Sequence, residues 1–297
     1  MPFTLKKHLN YAIINAYVVE REKDLLWVNI MKSINIICSD VGTKEKKNQD
    51  GACIKRAKTS IGMITMAIVC DGVNGMSQGE MASTAIIEEF DTWFEKELPI
   101  VLEEHIVDKQ ERLWKDIIKG VKDSWKEKLQ QVHQSIYQYG QSKNMLVGST
   151  FSGVLLFDDF CCMVMHVGDS RIYKITDTVE KITVEQTLAE REVNRGNMTF
   201  EQAKEKGMQN VLLQCVGGSK KIQPDILIDY FDSEAIYVLC TDGFWRTASK
   251  KALQKISFYR ENGQEGLEDY LKEMIDQLKI DGEEDNITVV AVTNEER

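Results

Sequence analysis

Short apolar runs that end beside acidic residues constrain the possible folds of this chain more than any other feature of its sequence. Residues 63–70, 160–167 and 236–240 each lead into an Asp-containing patch, and residues 287–292 follow another. An isolated Asp at a strand end is usually a turn residue. If the strands converge, however, their acidic ends bring several negative charges together. These charges must be paired with positive side chains or bound to cations. The five patches are Asn48-Gln49-Asp50, Asp71-Gly72-Val73-Asn74-Gly75, Gly168-Asp169-Ser170-Arg171, Thr241-Asp242-Gly243 and Asp285-Asn286-Ile287-Thr288.

The chemistry of these patches favours a hard divalent cation. Carboxylate and carbonyl oxygens select Mg²⁺ or Mn²⁺ over zinc, and no Cys-x-x-Cys pair is present. The sequence shows no obvious counter-charge for the acidic strand ends, so we expect metal ions to supply it.

The order of apolar patterns predicts an α+β layered domain rather than a βαβ repeat. Period-two or continuous apolar runs predict strands, and three- to four-residue spacings predict amphipathic helices. Asp158-Asp159 reads as a hairpin turn. The predicted strands are 34–38, 52–55, 61–70, 150–157, 160–167, 171–175, 226–228, 236–240 and 287–292. The predicted helices are 79–98, about 107–139, 201–207 and 266–278.

Bulk composition predicts a cytoplasmic globular protein. The 297 residues are 43% hydrophobic, contain only three prolines and show no linker-like run, which favours one domain. A net charge of −10 argues against a nucleic-acid partner. Seven cysteines, mostly in apolar runs, fit free thiols in a reducing compartment, and no run reaches the ~20 apolar residues of a membrane span.

The first 33 residues read as an N-terminal extension of unknown role. They carry no signal-peptide core, and apolar and charged residues alternate at roughly helical spacing. The segment fits an amphipathic helix that packs on the domain, a partner-binding element, or translated sequence upstream of a start at Met31. These alternatives stay open.

Taken in order, the five patches resemble the metal-dependent protein phosphatase family (PPM, the type 2C serine/threonine phosphatases), in its bacterial form. The resemblance covers about residues 34–292. It includes Ser39-Asp40-Val41-Gly42, Gly79-Glu80-Met81-Ala82-Ser83 and Gly148-Ser149-Thr150. It implies a four-layer αββα sandwich, in which two antiparallel sheets are flanked by pairs of antiparallel helices, over residues 34–297.

The resemblance also implies an activity and a set of metal ligands. The family hydrolyses phosphoserine and phosphothreonine in proteins through a water or hydroxide that bridges two Mn²⁺ or Mg²⁺ ions. By resemblance, Asp71 bridges the two ions and the Gly72 carbonyl completes one shell, to which Asp50 contributes. Asp242 and Asp285 bind the other ion, and Asp71 and Asp242 are the catalytic candidates. Asp169 either helps to bind a third, weaker ion or is a turn residue beside an Arg171 that pairs with a carboxylate.

Departures from the family pattern bear on substrate binding. Glu45 stands where relatives carry a phosphate-binding Arg, so Lys44, Lys46 or Lys47 would have to supply the positive charge. Val73 replaces a His proposed as general acid in many eukaryotic members. Glu45 favours an alternative function, a pseudophosphatase that acts as a binding or regulatory module, whereas the retained metal ligands favour an enzyme.

The sequence also predicts a mobile segment, the state of one histidine and the kind of partner. Residues 187–215 should form a mobile flap beside the ions, because the segment is long and lacks strong apolar periodicity. His166 lies on an apolar run and should be a buried, hydrogen-bonded imidazole rather than a general base. We expect a monomer whose partners are phosphoproteins and a Ser/Thr kinase or its targets.

Overall fold

The computed structural model describes residues 33–44, 46–73, 78–104, 114–157, 160–260 and 262–294. The predicted extension up to residue 32 and the Asp158-Asp159 turn lie outside the described residues. The strands are β1 (Ser33–Asp40), β2 (Gly51–Thr59), β3 (Gly62–Cys70), β4 (Phe151–Phe157), β5 (Cys161–Val167), β6 (Arg171–Ile175), β7 (Val179–Lys181), β8 (Asp225–Tyr230), β9 (Ile236–Cys240) and β10 (Ile287–Asn294).

Helices occupy the segments between the strands. They are α1 (Gly79–Thr92), α2 (Leu98–Glu104), α3 (Trp114–Lys143), α4 (Leu188–Asn194), α5 (Phe200–Glu205), α6 (Asp242–Trp245), α7 (Lys250–Arg260) and α8 (Gly263–Ile280). A π-helical turn, Trp93–Glu97, joins α1 to α2, and a 3₁₀ turn, Met208–Asn210, follows α5. Within the described part of the chain, every helix is too short or too polar to cross a bilayer.

The strands form two five-stranded antiparallel sheets, in the orders β1-β10-β9-β6-β7 and β2-β3-β4-β5-β8. Buried side chains from the two sheets, among them Val154, Leu156, Leu239 and Val290, share one apolar cluster, so the sheets pack face to face. A second cluster joins the outer face of the β3-β4-β5 sheet to α1 and α3, and a third joins the other sheet to α7 and α8. The predicted α+β sandwich of four layers is confirmed.

Strand pairing brings the acidic patches to one end of the sandwich. Gly51 pairs with Cys70, so the residues on either side of these two, Asp50 and Asp71, are neighbours. Cys240, which ends β9, pairs with both Val289 and Arg171, so the chain leaves β9 close to where it enters β10 and β6. The convergence expected from the sequence is therefore present in the fold.

Most predicted elements are present, but five elements of the structure were not predicted: β7, α2, α4, α6 and α7. β7 has only three residues, and α4 and α7 mix apolar with polar and charged residues, so none of them shows a clear apolar periodicity. The strand β2 is longer than the predicted 52–55. The prediction ended at Lys55 because Lys55, Arg56 and Lys58 interrupt the apolar pattern. All seven cysteines are free and buried, as the sequence predicts.

Candidate metal centre

The main chain of Asp71 is held by the start of β4. Its N–H donates to Thr150 Oγ1 at 2.8 Å, and its carbonyl accepts from the Thr150 N–H and the Ser149 hydroxyl, both at 2.8 Å. Because these bonds satisfy the backbone, the orientation of the residue is fixed independently of its carboxylate. The Asp71 carboxylate takes no part in these bonds and faces the other acidic residues.

Among the described residues, one carboxylate oxygen of Asp50 has no hydrogen-bond partner. The Thr241 hydroxyl donates to its Oδ2 at 2.9 Å, whereas Oδ1 is buried and accepts no hydrogen bond from the described residues. Burial, together with the negative charges of Asp242 and Asp285, raises the pKa of Asp50 to about 7. A buried oxygen without a donor is costly, and a cation would satisfy it.

The side chains of Asp71 and Asp242 also lie close together, although their negative charges repel each other. Burial, followed by the charges of Asp242 and Asp50, raises the pKa of Asp71 well above its usual range. Burial likewise raises the pKa of Asp242, although the charge of Arg246 opposes the shift and Asp71 hydrogen-bonds to its carboxyl. The two carboxyl groups are therefore neighbours in a buried site, which is the arrangement expected of ligands that share an ion.

Arg246 supplies a counter-charge that the sequence reading missed. Its guanidinium donates to Asp242 Oδ2, and its Nη1 lies 3.5 Å from Glu283 Oε1 and 3.8 Å from Asp285 Oδ2. The expectation that only metal ions could offset these carboxylates is therefore wrong. Arg246 stands four residues after Asp242, a spacing that places two side chains on one face of a helix and could have revealed the pair.

Glu283 is a further acidic residue that the sequence reading missed. Its Oε1 accepts from the backbone N–H groups of Glu284 and Asp285, at 3.1 and 3.2 Å, and its Oε2 accepts from Thr247 Oγ1 at 3.0 Å. Only 6% of its side chain is exposed. It fixes the loop before β10, and no motif marks it among the neighbouring acidic residues.

Asp169 lies on the flank of the same cluster. Burial and the charge of Asp242 raise its pKa to about 8, and the positive charge of Arg246 opposes the shift. Its backbone carbonyl accepts a hydrogen bond from Trp245 Nε1 at 3.0 Å. Arg171 pairs with a carboxylate, as the turn interpretation predicts: its Nε donates to Glu185 Oε1 at 2.6 Å. A third ion at Asp169 stays a prediction.

Close backbone approach explains two glycines beside the acidic residues. A Cβ on Gly243 would lie 2.1 Å from the Asn286 carbonyl oxygen. A Cβ on Gly72 would lie 2.5 Å from the Gly79 carbonyl carbon, where α1 begins. The patches can approach each other only because these positions lack side chains.

The lysines proposed for phosphate binding differ in their surroundings. Lys44 Nζ lies 3.6 Å from Glu284, and Lys44 lines a cleft of about 610 Å³ together with Arg246 and Asp285. Lys47 Nζ lies 2.9 Å from Glu80 on α1 and is absent from that lining. Lys46 is exposed. Glu45, like Asn74 and Gly75, lies outside the described residues.

The predicted flap segment, 187–215, borders the same cleft. Phe200 and Lys204 from α5, with Gln209, line it together with Trp245. The segment is more regular than expected, because Thr187 caps α4 by accepting from the Glu190 N–H at 3.2 Å, and Thr199 and Gln202 form a capping box on α5. Its position beside the acidic cluster agrees with the prediction, whereas its mobility stays a prediction.

The donor set suits a hard divalent cation. It offers only carboxylate and carbonyl oxygens, one of them buried without a partner. Among the residues that the structure describes, no group of three or more His, Cys, Asp and Glu side chains is arranged to hold an ion as the side chains stand. Since Arg246 occupies Asp242 Oδ2, side-chain movement has to accompany cation binding.

Comparison with known proteins supports this geometry. No family model matches the chain. A Streptococcus pyogenes protein, named for the 2C type of protein phosphatase, is 27% identical over 260 residues, which cover 86% of this chain and 96% of that protein. The serine/threonine phosphatase Stp1 from Staphylococcus aureus has the same fold, with a TM-score of 0.71 at 20% identity, over 94% of this chain and 100% of that one.

By sequence and by fold, the chain resembles bacterial members of the PPM family over most of its length. Another solved member, the catalytic domain of the serine threonine protein phosphatase PstP, contains two manganese ions. Its TM-score to this chain is 0.62 at 19% identity, over 89% of this chain and 99% of that domain. The resemblance seen in the five patches is thus confirmed by sequence and by fold.

Proposed function

We propose that the chain is a metal-dependent phosphatase that hydrolyses phosphoserine and phosphothreonine in proteins. The observation that carries the proposal is the meeting of Asp50, Asp71, Asp242 and Asp285 from four separate chain segments, where burial and mutual repulsion raise the pKa of Asp50 and Asp71. Carboxylates gathered in this way destabilise a fold unless cations offset them. The names of the relatives, which are serine/threonine phosphatases, support the substrate class.

The chain's own residues divide between two cation positions. Asp71 lies beside Asp242 and would be shared by both ions. Asp50, with its free Oδ1, and the Gly72 carbonyl would serve one ion, and Asp242 and Asp285 the other. When bound, two divalent ions lower the pKa of a water molecule and offset the charge of the phosphoryl oxygens.

The cleft positions the phosphate ester. Lys44 and Arg246 line it beside Asp285 and provide positive charge for the dianion, while Phe200 and Trp245 offer apolar surface to a peptide. Val73 cannot donate a proton, so a metal-bound water or bulk solvent would have to protonate the leaving serine or threonine oxygen. The substrates would be phosphoproteins made by Ser/Thr kinases, and we propose that the domain acts as a monomer in the cytoplasm.

The decisive experiment measures hydrolysis of an aryl phosphate and of a phosphothreonine peptide, with Mn²⁺, with Mg²⁺ and with EDTA. We expect activity that EDTA abolishes and Mn²⁺ restores, and a turnover lowered by orders of magnitude in Asp71→Asn. Full activity in EDTA would reject the two-ion mechanism. Binding of Mn²⁺ without turnover of either substrate would favour the pseudophosphatase alternative.

A further inference from the structure

The strand β8 has an open edge in the part of the chain that the structure describes. It pairs with β5 on one side and is the last strand of its sheet. The N–H of Phe231 donates to the Phe160 carbonyl at 3.5 Å, and alternate residues of an antiparallel strand bond to the same neighbour. The backbone groups of Ile226, Ile228 and Tyr230 therefore point away from β5, toward solvent.

This edge also carries exposed apolar side chains. Leu227, Ile228 and Tyr230 are 46%, 43% and 85% exposed, and no other strand of the described residues carries a large apolar side chain this accessible. Ile228 and Tyr230 share a face with Ile226, which packs against the cluster of α1 and α3. An added strand would thus find both free backbone groups and an apolar surface continuous with the core.

The other sheet edges lack such a surface. The outer strand β2 presents Lys55, Arg56 and Lys58, and β7 has only three residues. On β1, Ile34 and Ile36 are buried. Proteins commonly protect sheet edges by charge or by short length, because an exposed apolar edge pairs with other chains. The contrast marks β8 as a surface for an extended peptide, which binds by adding a strand.

Two carboxylates on β8 determine the charge of the peptide that fits. Asp225 and Asp229 are exposed and lie on the same face as Leu227, on either side of it. Neutral donors hold both in place: Gln186 Nε2 donates to Asp225 Oδ2, and the Tyr230 N–H donates to Asp229 Oδ1, each at 2.8 Å. Because such donors do not offset a negative charge, basic side chains on the added strand would pair with these carboxylates.

The same carboxylates disfavour pairing between two copies of this chain. An antiparallel pair centred on Leu227 would place Asp225 of each copy opposite Asp229 of the other. A pair centred on Ile228 would place the two Asp229 side chains on one diagonal. Like charges in cross-strand positions are destabilising, and each copy carries a net charge of −10.

We propose that β8 is a docking edge for an extended segment of a partner protein in which apolar residues alternate with Lys or Arg. The apolar side chains of the segment cover Ile228 and Tyr230, and its basic side chains pair with Asp225 and Asp229. Main-chain hydrogen bonds to the outward groups of β8 provide affinity, and the two charge pairs fix the register. This binding requires neither metal nor turnover, so a failed phosphatase assay would leave the proposal intact.

Fluorescence polarisation with the full chain tests the proposal on two labelled hexapeptides, Val-Lys-Val-Thr-Val-Lys and Val-Glu-Val-Thr-Val-Glu. The two have the same apolar pattern and opposite charge. We expect the lysine peptide to bind about tenfold more tightly or better, and to weaken as NaCl is raised. If the lysine peptide does not bind at concentrations up to about 1 mM, or if both peptides bind equally, the proposal is overturned.

Three variants locate the binding on β8. Ile228→Pro removes an outward N–H and leaves the ladder to β5 intact, which is where an edge strand tolerates proline. Tyr230→Lys places a positive charge at the most exposed apolar position. Both should weaken the lysine peptide about tenfold or more. Ile280→Lys removes an apolar side chain that is 77% exposed at the end of α8, and should bind as wild type.

Tyr230→Lys keeps the proposal falsifiable if Ile228→Pro does not fold, since Tyr230 is too exposed to support the core. Unchanged binding in Tyr230→Lys would overturn the proposal. Light scattering distinguishes the remaining occupant: a wild-type dimer that Tyr230→Lys dissociates would assign the edge to a second copy and also overturn it. A monomer that binds the lysine peptide through β8 supports it.

Discussion

The side chain of Asn286 accepts a hydrogen bond from the backbone N–H of Gln49 at 2.8 Å, across 237 residues of sequence. Its Nδ2 donates to the carbonyls of Val41 and Lys47, at 2.8 and 3.2 Å. Asn286 is buried, so water cannot substitute for it. The last acidic patch therefore holds the loop that carries the first.

Replacement of Asn286 by Ala should loosen this loop and destabilise the protein. Three backbone groups, of Val41, Lys47 and Gln49, would lose their hydrogen bonds to Asn286, each typically contributing about 0.5–1.5 kcal/mol. We expect the free energy of unfolding, measured by urea titration, to fall by roughly 2–4 kcal/mol. Asn194→Ala is the control, because Asn194 is exposed on α4 and bonds only Glu190. Similar losses in both variants would show that Asn286 has no special role.

The variant Asp71→Asn should have opposite effects on activity and on the metal-free protein. It removes one of several carboxylates that repel each other, so the metal-free protein should melt higher than wild type. It also removes the charge of the shared ligand, so turnover should fall by orders of magnitude and Mn²⁺ affinity should drop. A metal-free melting temperature below that of wild type would contradict this account of the cluster.

The sequence predicts much of this site because the ligands lie next to strong local signals. Asp71 and Asp242 each follow an apolar strand, and the glycine after each is required by a close backbone approach. Asp50 and Asp285 precede strands that pair with these same elements. Strand boundaries and turn residues are local properties, so order along the chain was enough to suggest that the patches meet.

What the sequence could not supply are contacts that depend on the final geometry. Arg246 and Glu283 belong to the cluster because the end of α6 lies beside the loop before β10, where the two side chains pair. Neither residue stands in an apolar pattern. The helix α7 was missed because its polar face dominates its composition. Lys44 and Lys47 look equivalent in sequence, yet only Lys44 borders the cleft.

His166 should make stability depend on pH below neutrality. It is buried in β5 with Nδ1 2.8 Å from the Ser152 hydroxyl, and burial lowers its pKa to about 4 although Asp225 and Glu185 oppose the shift. The unfolded chain takes up the proton near pH 6.5, so the stabilisation is present above that pH and is lost as pH falls toward 4.

The expected loss from this single group is about 2 kcal/mol between pH 7 and pH 5. His166→Asn cannot titrate, so its free energy of unfolding should fall less over the same interval. The measurement is urea unfolding of both proteins at the two pH values. Parallel curves would mean that another group causes the acid sensitivity.

The segment 187–215 should exchange its amide hydrogens faster than β9. It contains two helices of at most seven residues and borders a solvent-filled cleft, whereas β9 is fully buried between β10 and β6. Deuterium uptake followed by mass spectrometry compares the two segments in one sample. Equal protection would argue against a flap.

The two lysines beside the first patch provide a matched pair for locating the phosphate. Lys44 and Lys47 have similar exposed side-chain fractions, 69% and 70%, and each pairs with one exposed glutamate. Only Lys44 lines the cleft beside Asp285. Lys44→Ala should therefore raise KM for an aryl phosphate by roughly three- to tenfold and change kcat little, because a charge that binds ground and transition states alike affects only KM. Lys47→Ala should leave both constants near wild type. If Lys47→Ala has the larger effect, the phosphate approaches from the side of α1, and the cleft is not its binding site.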